Sequence, residues 1–488
     1  MRGYDESVAF LGQWGPFQQA VFFLLCATIV PNGFGAFTLV FLTDLPSHHC
    51  AVPDVNLTED WLTAVIPRQF DLVCSDQWKL TFISTVFFVG VFLGSFVSGQ
   101  LSDRFGRKPV LFATMAVQIS FTFFQVFSTS WIVFLVLLFI NGLGQISNFV
   151  AALVLGAEIL TGNVRVLYSS MGTCLSFAFG YMLLPLCAYF LRDWKSLLLA
   201  LSLPGLAFLP LWWLIPESPR WLLSRGRVEE AESIVRKAAK WNKVQPPAVI
   251  FPDYAVNIKA DPKDRHSALD LLRTSSIRVT TLVLCLVSFA ACTGYYGLSL
   301  NTSRLHADPY VSCFISAAVE VPAYVSGWLA LRFLRRRRSI CFTLLLEASA
   351  LFLIQLVPQN LPHLSIGLEM LAKYAVTVTF SMMFAYMAEL YPTLLRNTAV
   401  GICSTVGRLG NCIAPFLVTL NIYLRHLPYI VMGTLAFGAA TSVLFLPESF
   451  GKPLPETIHQ MQKRERIRCP CIPGGEARVP VELQDGPL

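Results

Sequence analysis

The chain has 488 residues, of which 55% are hydrophobic and only 14% are charged, and its mean hydropathy is +0.58. Soluble domains usually carry about 25% charged residues, so this composition argues against a water-soluble enzyme, a disordered chain and a small disulfide-rich domain. The net charge of +7 does not by itself indicate a nucleic-acid partner, because in an apolar chain the positions of the basic residues matter more than their sum.

Twelve stretches of the chain are apolar over about 20 residues, the length that an α-helix needs to cross the hydrocarbon core of a bilayer. In chain order they lie near residues 17–42, 80–101, 109–129, 130–158, 167–190, 194–215, 277–299, 309–331, 339–357, 362–390, 397–419 and 427–446. The first stretch lacks the basic start and the small-residue cleavage site of a signal peptide, so we expect it to be retained. We predict an all-α membrane protein with twelve transmembrane helices.

Lys and Arg residues indicate the orientation of these helices. With both termini in the cytoplasm, most of the 37 basic residues fall in cytoplasmic loops, as the positive-inside rule requires. Loop 43–79 then lies outside, and Asn56 in Asn-Leu-Thr and Asn301 in Asn-Thr-Ser become predicted glycosylation sites. Cys50 and Cys74 share that oxidising loop, where a disulfide between them and two free thiols both remain open.

Four landmarks recur at a constant offset of 231 residues and indicate an internal duplication. They are Pro216-Glu217-Ser218 and Pro447-Glu448-Ser449, Ala157-Glu158 and Ala388-Glu389, Arg165 and Arg396, and Arg107 and Arg338. The predicted domains are a six-helix half at 1–215, a cytoplasmic linker at 216–276, a second six-helix half at 277–446 and a cytoplasmic tail at 447–488. In transporters built from two parallel repeats, the substrate lies between the halves, and rocking of one half against the other gives alternating access.

The loop between the second and third predicted helices carries the string Gly99-Gln100-Leu101-Ser102-Asp103-Arg104-Phe105-Gly106-Arg107-Lys108. Asp103 can pair with an Arg across the loop, and such a charge cluster can hold one conformation of a two-state carrier. The alternative is a positive-inside loop with an incidental acid. We predict gating roles for the charged residues at these helix ends, which are Asp103, Arg104, Arg107, Glu158, Arg165, Glu217, Glu389, Arg396 and Glu448.

The same string resembles the signature of the major facilitator superfamily. Other strings resemble the novel organic cation transporter branch of its organic ion transporters, among them Tyr4-Asp5-Glu6, Trp14-Gly15-Pro16-Phe17-Gln18, Ala388-Glu389-Leu390-Tyr391-Pro392-Thr393 and Leu446-Pro447-Glu448-Ser449-Phe450-Gly451. The resemblance spans nearly the whole chain. It implies the major facilitator fold and a secondary active carrier in the plasma membrane, without a cofactor, for small zwitterions or organic cations of the carnitine or ergothioneine class. If carnitine is the substrate, the resemblance also implies coupling to sodium. Loop 43–79 is shorter than in that branch, and Phe149 stands where the branch usually has Tyr.

Arg408 is the clearest candidate for binding substrate, because a charge inside a membrane span is costly and usually functional. Its guanidinium suits a carboxylate, and the resemblance implies a substrate that carries one. The alternative is a structural ion pair with an acid such as Glu320 or Glu369. Lys373 and Glu369 are four residues apart on one predicted helix and could simply neutralise each other.

Aromatic faces recognise a quaternary ammonium, each with about 0.5–2 kcal/mol. The candidates are Phe149, Tyr181, Tyr295, Tyr296, Phe380, Phe384 and Tyr386, with Gln145 as a polar contact. Asn32 and Asn148 are predicted to offer oxygen atoms to a sodium ion, and hydrogen bonding between helices is the alternative.

Other functions stay open at this point, namely a broad-range carrier of organic anions or cations and a non-transporting, receptor-like relative. A polytopic enzyme is disfavoured, because only 7 His occur and none lies clearly in the middle of a span. The expected partners are the substrate and the lipid bilayer, without nucleic acid, and the tail at 447–488 offers a surface to cytoplasmic proteins.

Overall fold

A computed structural model describes residues 4–42, 78–251, 275–301 and 308–450 of the chain, apart from 359, 392, 423 and 425; residues 275, 276, 393–397 and 422 are described by their backbone alone. This part of the chain consists of helices and connecting loops and contains no strand. The predicted all-α fold is confirmed.

Twelve long helices account for the twelve predicted stretches, one for each. They are α1 (Pro16–Leu42), α2 (Trp78–Phe105), α3 (Arg107–Gln125), α4 (Trp131–Ile159), α5 (Gly162–Phe190), α6 (Trp194–Phe208), α7 (Ser275–Asn301), α8 (Pro309–Phe333), α9 (Arg336–Ile354), α10 (Pro362–Leu390), α11 (Thr393–Thr419) and α12 (Leu427–Val443). Within the described ranges, nine of these twelve are long and apolar enough to cross a membrane, and the other three are α3, α9 and α12.

Local side-chain and backbone chemistry sets several of the helix ends. Gly106 separates α2 from α3 with a φ of +106°, a conformation that glycine adopts without the strain of a Cβ atom. At the start of α6 the Asp193 carboxylate accepts a hydrogen bond from the Ser196 backbone N–H at 3.1 Å. Asp308 does the same for the Tyr310 N–H at 2.9 Å, at the start of α8. Each acid satisfies a backbone donor that lacks a partner in the first turn of its helix.

Glycine allows α1 and α5 to cross in direct backbone contact. A Cβ atom on Gly33 would lie 2.1 Å from the Phe177 carbonyl oxygen, and one on Gly180 would lie 2.1 Å from the Val30 carbonyl oxygen. Small residues serve this purpose between membrane helices, where close packing replaces the hydrophobic effect as the source of association.

The first six helices pack on one another, and so do the last six, while α2 against α11 and α5 against α8 join the two sets. We call the end of the bundle that carries Arg107 and Glu217 the motif end. At the opposite end, the Thr81 and Thr419 hydroxyls are 2.7 Å apart, and the Phe41 ring stacks on Tyr310 with 5.4 Å between centroids. The domain limits at 215 and 276 stay predictions.

The linker contains the amphipathic helix that its apolar spacing predicts, at Val228–Trp241. Its buried face is made by Ala231, Val235, Ala238 and Ala239. Just after the helix, the Asn242 side-chain oxygen accepts a hydrogen bond from the Phe17 N–H at 2.9 Å. The linker is therefore bound to the first turn of α1.

Candidate functional site

The first half of the molecule assembles most of its predicted latch at the motif end. An Arg107 guanidinium nitrogen lies 3.0 Å from a Glu158 oxygen and another lies 2.9 Å from an Asp103 oxygen. A Glu217 oxygen accepts hydrogen bonds at 3.1 Å from the backbone N–H groups of Arg107 and Lys108. Glu217 thus caps α3, where a negative charge is favourable, and ties the loop after α6 to the latch.

The second half repeats this arrangement with a shift in register. Glu389 takes the place of Glu158 and lies 3.1 Å from an Arg336 guanidinium nitrogen. Glu448 takes the place of Glu217 and accepts a hydrogen bond from the Arg337 N–H at 3.4 Å. Arg338, which the constant offset matched to Arg107, is not the partner of Glu389, because α9 begins at Arg336 and presents that residue instead.

Two predicted gating residues lie apart from these latches. Arg104 packs its guanidinium over the ring of Phe105, 5.4 Å from the centroid. Arg165 forms an ion pair of 2.7 Å with Asp5, which also holds Arg220 at 2.5 Å. The side chain of Arg396 lies outside the described residues, so its gating role stays a prediction.

Asp5 is a connecting residue for which the sequence offered no role. It joins the N-terminal segment to the first turn of α5 through Arg165 and to the segment after α6 through Arg220. Burial alone would raise the pKa of the Asp5 carboxyl, but the hydrogen bonds from the two arginines outweigh burial and lower that pKa below its usual value. The carboxylate is therefore charged at neutral pH.

Arg408 lies in the middle of α11 and is half-buried. Among the described residues it makes no hydrogen bond and no ion pair, while Tyr296 and Cys292 on α7 lie within electrostatic reach of its guanidinium. A guanidinium carries five N–H donors, so this arrangement leaves donors available to an anion that enters between α7 and α11.

The two acids that offered an alternative partner for Arg408 are used elsewhere. A Glu320 oxygen lies 3.0 Å from the Lys373 ammonium and accepts a hydrogen bond from the Tyr295 hydroxyl at 2.6 Å. Glu369 accepts hydrogen bonds from Asn301 at 3.1 Å and from the Tyr429 hydroxyl at 2.9 Å. Among the described residues, Arg408 is therefore paired with neither acid, the pairing that was the alternative to a substrate role.

Lys373 pairs with a different helix from the one that its spacing indicated. The four-residue interval predicted a pair with Glu369 on the same helix, but the ammonium crosses to Glu320 on α8. The Lys373 and Glu320 side chains are 1% and 0% exposed. Spacing along one helix identifies neighbours on that helix and does not show which side chains of an adjacent helix lie closer.

Two of the predicted aromatic residues, Tyr181 and Tyr295, meet around the Lys373 ammonium together with Phe37. The ammonium lies 3.4 Å from the Tyr295 ring centroid and 5.9 Å from that of Tyr181. Phe37 stacks on Tyr181 at 4.1 Å and lies 5.8 Å from Tyr296. These four rings, Phe37, Tyr181, Tyr295 and Tyr296, are called the ring cluster below. It joins α1 and α5 to α7, so it lies between the two sets of helices.

The other predicted aromatic residues are divided among different places. Phe380 stacks on Tyr295 at 5.4 Å, and Phe384 lies next to Phe380 with 37% of its surface exposed. Phe149 packs on Phe177 at 6.3 Å. The Tyr386 hydroxyl donates a hydrogen bond to the Pro447 carbonyl at 2.7 Å, towards the motif end. The structure therefore does not bring Phe149 or Tyr386 into the ring cluster.

The predicted polar residues of the first half gather on one stretch of α1. Gln145 donates to the Asn32 carbonyl at 2.7 Å, and the Asn32 side chain donates to the Asn148 side-chain oxygen at 3.4 Å. Gln118, which the sequence did not single out, donates to the Pro31 carbonyl at 3.4 Å. The side-chain amide oxygens of Asn32, Gln118 and Gln145 are among the buried ones that have no hydrogen-bond partner within the described ranges.

The predicted glycosylation sites and thiols have different outcomes. Asn301 is 4% exposed, and its amide donates to Glu369 and, at 2.7 Å, to the Tyr429 hydroxyl. This burial disfavours a glycan at Asn301, because the amide nitrogen that would carry the sugar is already bonded inside the protein. Asn56, Cys50 and Cys74 lie outside the described residues.

Comparisons with known proteins identify the family. The family model described as "Sugar (and other) transporter" matches residues 47–461. The chain belongs to this transporter family. The fold agrees with that of the xylose transporter XylE from E. coli in an inward open conformation, with a TM-score of 0.66 at 18% identity over 88% of this chain and 97% of that one.

Relatives within the family confirm the resemblance to the novel organic cation transporter branch. Solute carrier family 22 member 4 of Mus musculus is 46% identical over 100% of this chain and 99% of its own length. Organic cation/carnitine transporter 2 of Homo sapiens is 47% identical over 94% of each chain. The organic cation transporter protein of Drosophila melanogaster is 33% identical over 93% of this chain and 94% of its own. This family member is a membrane transporter and not an enzyme.

The sequence did not single out Phe37 and Gln118, which lie at the candidate site, for identifiable reasons. Phe37 is one of 38 phenylalanines, and nothing in its local sequence separates it from those that face lipid. Gln118 could have been found, because a glutamine inside an apolar span is a polar group that needs a partner.

Proposed function

We propose that the chain is a secondary active carrier of small zwitterionic organic cations of the carnitine or ergothioneine class. The observation that carries this proposal is Arg408, a half-buried guanidinium on α11 without an acidic partner among the described residues. A carboxylate is the group that best matches a planar, permanently charged guanidinium in a site of low polarity.

The ring cluster supports recognition of the cationic end. It already faces a cation, the Lys373 ammonium, at 3.4 Å from the Tyr295 centroid. A substrate ammonium at the same rings would gain about 0.5–2 kcal/mol from each face and would share the charge of Glu320 with Lys373. Tyr296 belongs to the ring cluster and also lies within reach of Arg408, so the two ends of one small zwitterion could be bound at neighbouring places.

Sodium coupling is part of the proposal and is supported by the amides along α1. The unpartnered oxygens of Asn32, Gln118 and Gln145 are buried, and Asn148 belongs to the same cluster. Neutral oxygen atoms suit a hard monovalent cation, and Asn32 lies beside Pro31 inside α1.

The location and orientation of the carrier complete the proposal. We place the motif end in the cytoplasm of a cell, with the protein in the plasma membrane and both termini inside, because the basic loops lie at this end. Binding of cytoplasmic proteins by the tail stays a prediction.

Uptake into cells that express the full chain tests the proposal. We expect uptake of labelled carnitine or ergothioneine that rises several-fold with an inward sodium gradient, and loss of that uptake in Arg408→Ala with normal surface expression. Arg227→Ala is the matched control, because it removes an equally charged side chain from the exposed linker, where Arg227 pairs with Glu230 at 2.5 Å. If tetraethylammonium or dicarboxylates compete for uptake as strongly as unlabelled carnitine or ergothioneine, a broad-range carrier is favoured. Normal uptake by Arg408→Ala would contradict the assignment of Arg408 to the substrate site.

A further inference from the structure

Two cysteines of the second half place their sulfur atoms side by side. Nine cysteines lie among the described residues. Cys285 on α7 and Cys403 on α11 have 3.7 Å between their sulfur atoms, and the Cys285 thiol donates a weak hydrogen bond to the Cys403 sulfur. Neither thiol belongs to the candidate site or to the latches described above.

The helices that carry these thiols are in close backbone contact. A Cβ atom on Gly410 would lie 2.8 Å from the Phe289 carbonyl oxygen, and one on Gly407 would lie 3.3 Å from the Ser288 carbonyl oxygen. Small residues allow membrane helices to approach in this way. In the described state, the contact between α7 and α11 therefore keeps the two thiols opposite each other.

The thiol pair lies between the motif end and Arg408. Thr281, one turn before Cys285, shares a hydrogen bond of 2.8 Å with the Tyr391 hydroxyl, just after the end of α10 that carries the second latch. Cys403 precedes Arg408 by five residues, which is about 7.5 Å along a helix. A bond between the thiols would thus join α7 to α11 on the motif side of the candidate substrate residue.

The internal duplication shows that the pair is particular to the second half. Gly172 on α5 lies 231 residues before Cys403, the offset of the repeat. A Cβ atom on Gly172 would lie 3.2 Å from the sulfur of Cys26 on α1, and α1 and α5 correspond to α7 and α11. The first half therefore presents a thiol to the same neighbouring helix, but it has a glycine where the second half has its second thiol.

A disulfide requires only a small movement of the two sulfur atoms. An S–S bond is about 2.05 Å long, so the atoms have to approach by less than about 2 Å from their present 3.7 Å. Rotation about a Cα–Cβ bond from one rotamer to the next moves a sulfur atom farther than that. Cys403 is buried and Cys285 is half-buried, so Cys285 is the thiol that an oxidant reaches first.

We propose that Cys285 and Cys403 form a redox-sensitive dithiol, which a hydroperoxide converts to a disulfide that stops transport. In the first step the Cys285 sulfur attacks the peroxide, the O–O bond breaks, and the thiol proton passes to the departing oxygen, which leaves as water or an alcohol. The product is a sulfenic acid. In the second step the Cys403 sulfur attacks this sulfur, the S–S bond forms, and the S–O bond breaks. The hydroxyl group leaves with the Cys403 proton as water, and the two electrons lost by the thiols reduce the peroxide.

The effect of this bond on transport rests on the proposed function. Arg408 on α11 is proposed to bind one end of the cargo, and Tyr295 and Tyr296 on α7 the other. The two helices then have to shift against each other when the cargo enters and leaves. A covalent bond from Cys285 to Cys403 prevents this shift, and a thiol reductant removes the bond.

Peptide mapping of the purified full chain tests the bond without any transport. After treatment with hydrogen peroxide, we expect a peptide pair linked through Cys285 and Cys403 that lacks two hydrogen atoms and separates on reduction with dithiothreitol. Cys26 should remain a free thiol under the same treatment. A treated wild type in which Cys285 and Cys403 stay unlinked would overturn the proposal.

Uptake of labelled carnitine by proteoliposomes tests the effect of the bond. We expect the peroxide-treated wild type to lose most of its uptake and to regain it after dithiothreitol. Cys403→Ser should keep its uptake after peroxide, and Cys285→Ser provides the same test if Cys403→Ser does not fold. Cys26→Ser is the matched control, because it removes a lone thiol from the corresponding place in the first half, and it should lose uptake as the wild type does.

The two measurements separate this inference from the proposed function. A linked peptide pair in a protein that takes up no carnitine before treatment would defeat the proposed substrate, while the dithiol would stand. Full uptake by a wild type whose peptide pair is linked would overturn the proposed switch. Equal loss of uptake in Cys403→Ser and in the wild type would overturn it as well, because the loss would then arise at another residue.

Discussion

The pair of Lys373 and Glu320 shows how much one buried charge depends on another. The two atoms are 3.0 Å apart, both side chains are almost fully buried, and the Tyr295 hydroxyl completes the environment of the acid. The ion pair stabilises the packing of α8 against α10 only while both charges are present, because either charge alone would remain buried without compensation.

Removal of one partner should therefore destabilise the folded protein more than removal of both. We expect Lys373→Met to lower the free energy of unfolding by about 3–5 kcal/mol, measured as the thermal midpoint of the purified protein in detergent. The double variant Lys373→Met with Glu320→Gln should recover much of that loss. A double variant no more stable than Lys373→Met would contradict the ion pair.

Asp5 provides a prediction on pH dependence outside the membrane-spanning helices. Its pKa is lowered in the folded protein by Arg165 and Arg220, so its contribution to stability is present at neutral pH and disappears as the pH falls through that lowered pKa. The side chain is half exposed, so the contribution should be less than about 1 kcal/mol. Asp5→Asn should lower the thermal midpoint slightly at neutral pH and not below about pH 3. Glu6→Gln, a change at a neighbouring exposed acid, should have no such effect.

At the scale of helices, the crossing of α1 and α5 depends on the absence of two side chains. Gly33 and Gly180 face backbone carbonyl groups, which cannot move aside as a flexible side chain would. Because Asn32 lies beside Gly33 and Tyr181 lies beside Gly180, this crossing also fixes the distance between the amide cluster and the ring cluster.

Separation of these two helices should reduce both stability and uptake. We expect Gly33→Ala to destabilise the protein by about 1–3 kcal/mol, seen in thermal melts, and to reduce carnitine uptake at equal surface expression. Gly438→Ala on α12 is the control, because its Cβ atom would enter open space and alanine favours a helix by about 1 kcal/mol. Equal effects of the two substitutions would show that the crossing has no special role.

The sequence was informative about helices and less so about the contacts between them. The twelve helices could be predicted because a membrane span must be largely apolar over the thickness of a bilayer, although α3, α9 and α12 are shorter or less apolar than the other nine. The cost of polar groups in spans singled out Arg408, Tyr295 and Tyr296 as candidates, and their roles stay predictions. The partner of Lys373 could not be predicted, because spacing describes neighbours on one helix and says nothing about the helix that packs beside it. The same limit explains why Arg336, and not Arg338, meets Glu389.

At the scale of the whole molecule, the two sets of helices meet at the end opposite the motifs. The Thr81 and Thr419 hydroxyls are 2.7 Å apart across that contact, on α2 and α11. A carrier that works by rocking must open this contact once in each cycle.

A bond across this contact should stop the cycle. In a chain that carries Cys285→Ser, which removes the native thiol pair, we expect Thr81→Cys with Thr419→Cys to form a disulfide under mild oxidation, because the two side chains already approach within contact distance. Uptake should fall to background after oxidation and return after reduction. The single variants Thr81→Cys and Thr419→Cys, treated in the same way, should keep their uptake. Full uptake by the oxidised, cross-linked protein would exclude rocking at this contact.

The lysine within the ring cluster has a consequence for the step in which the empty carrier reorients across the membrane. Lys373 is part of the protein and lies 3.0 Å from Glu320, so it can neutralise this acid when no cargo is bound. An unloaded carrier then never has to move a bare negative charge through the middle of the bilayer, which would be expensive. We therefore expect the empty molecule to reorient readily, and the protein to accumulate its cargo without exporting a second solute in exchange.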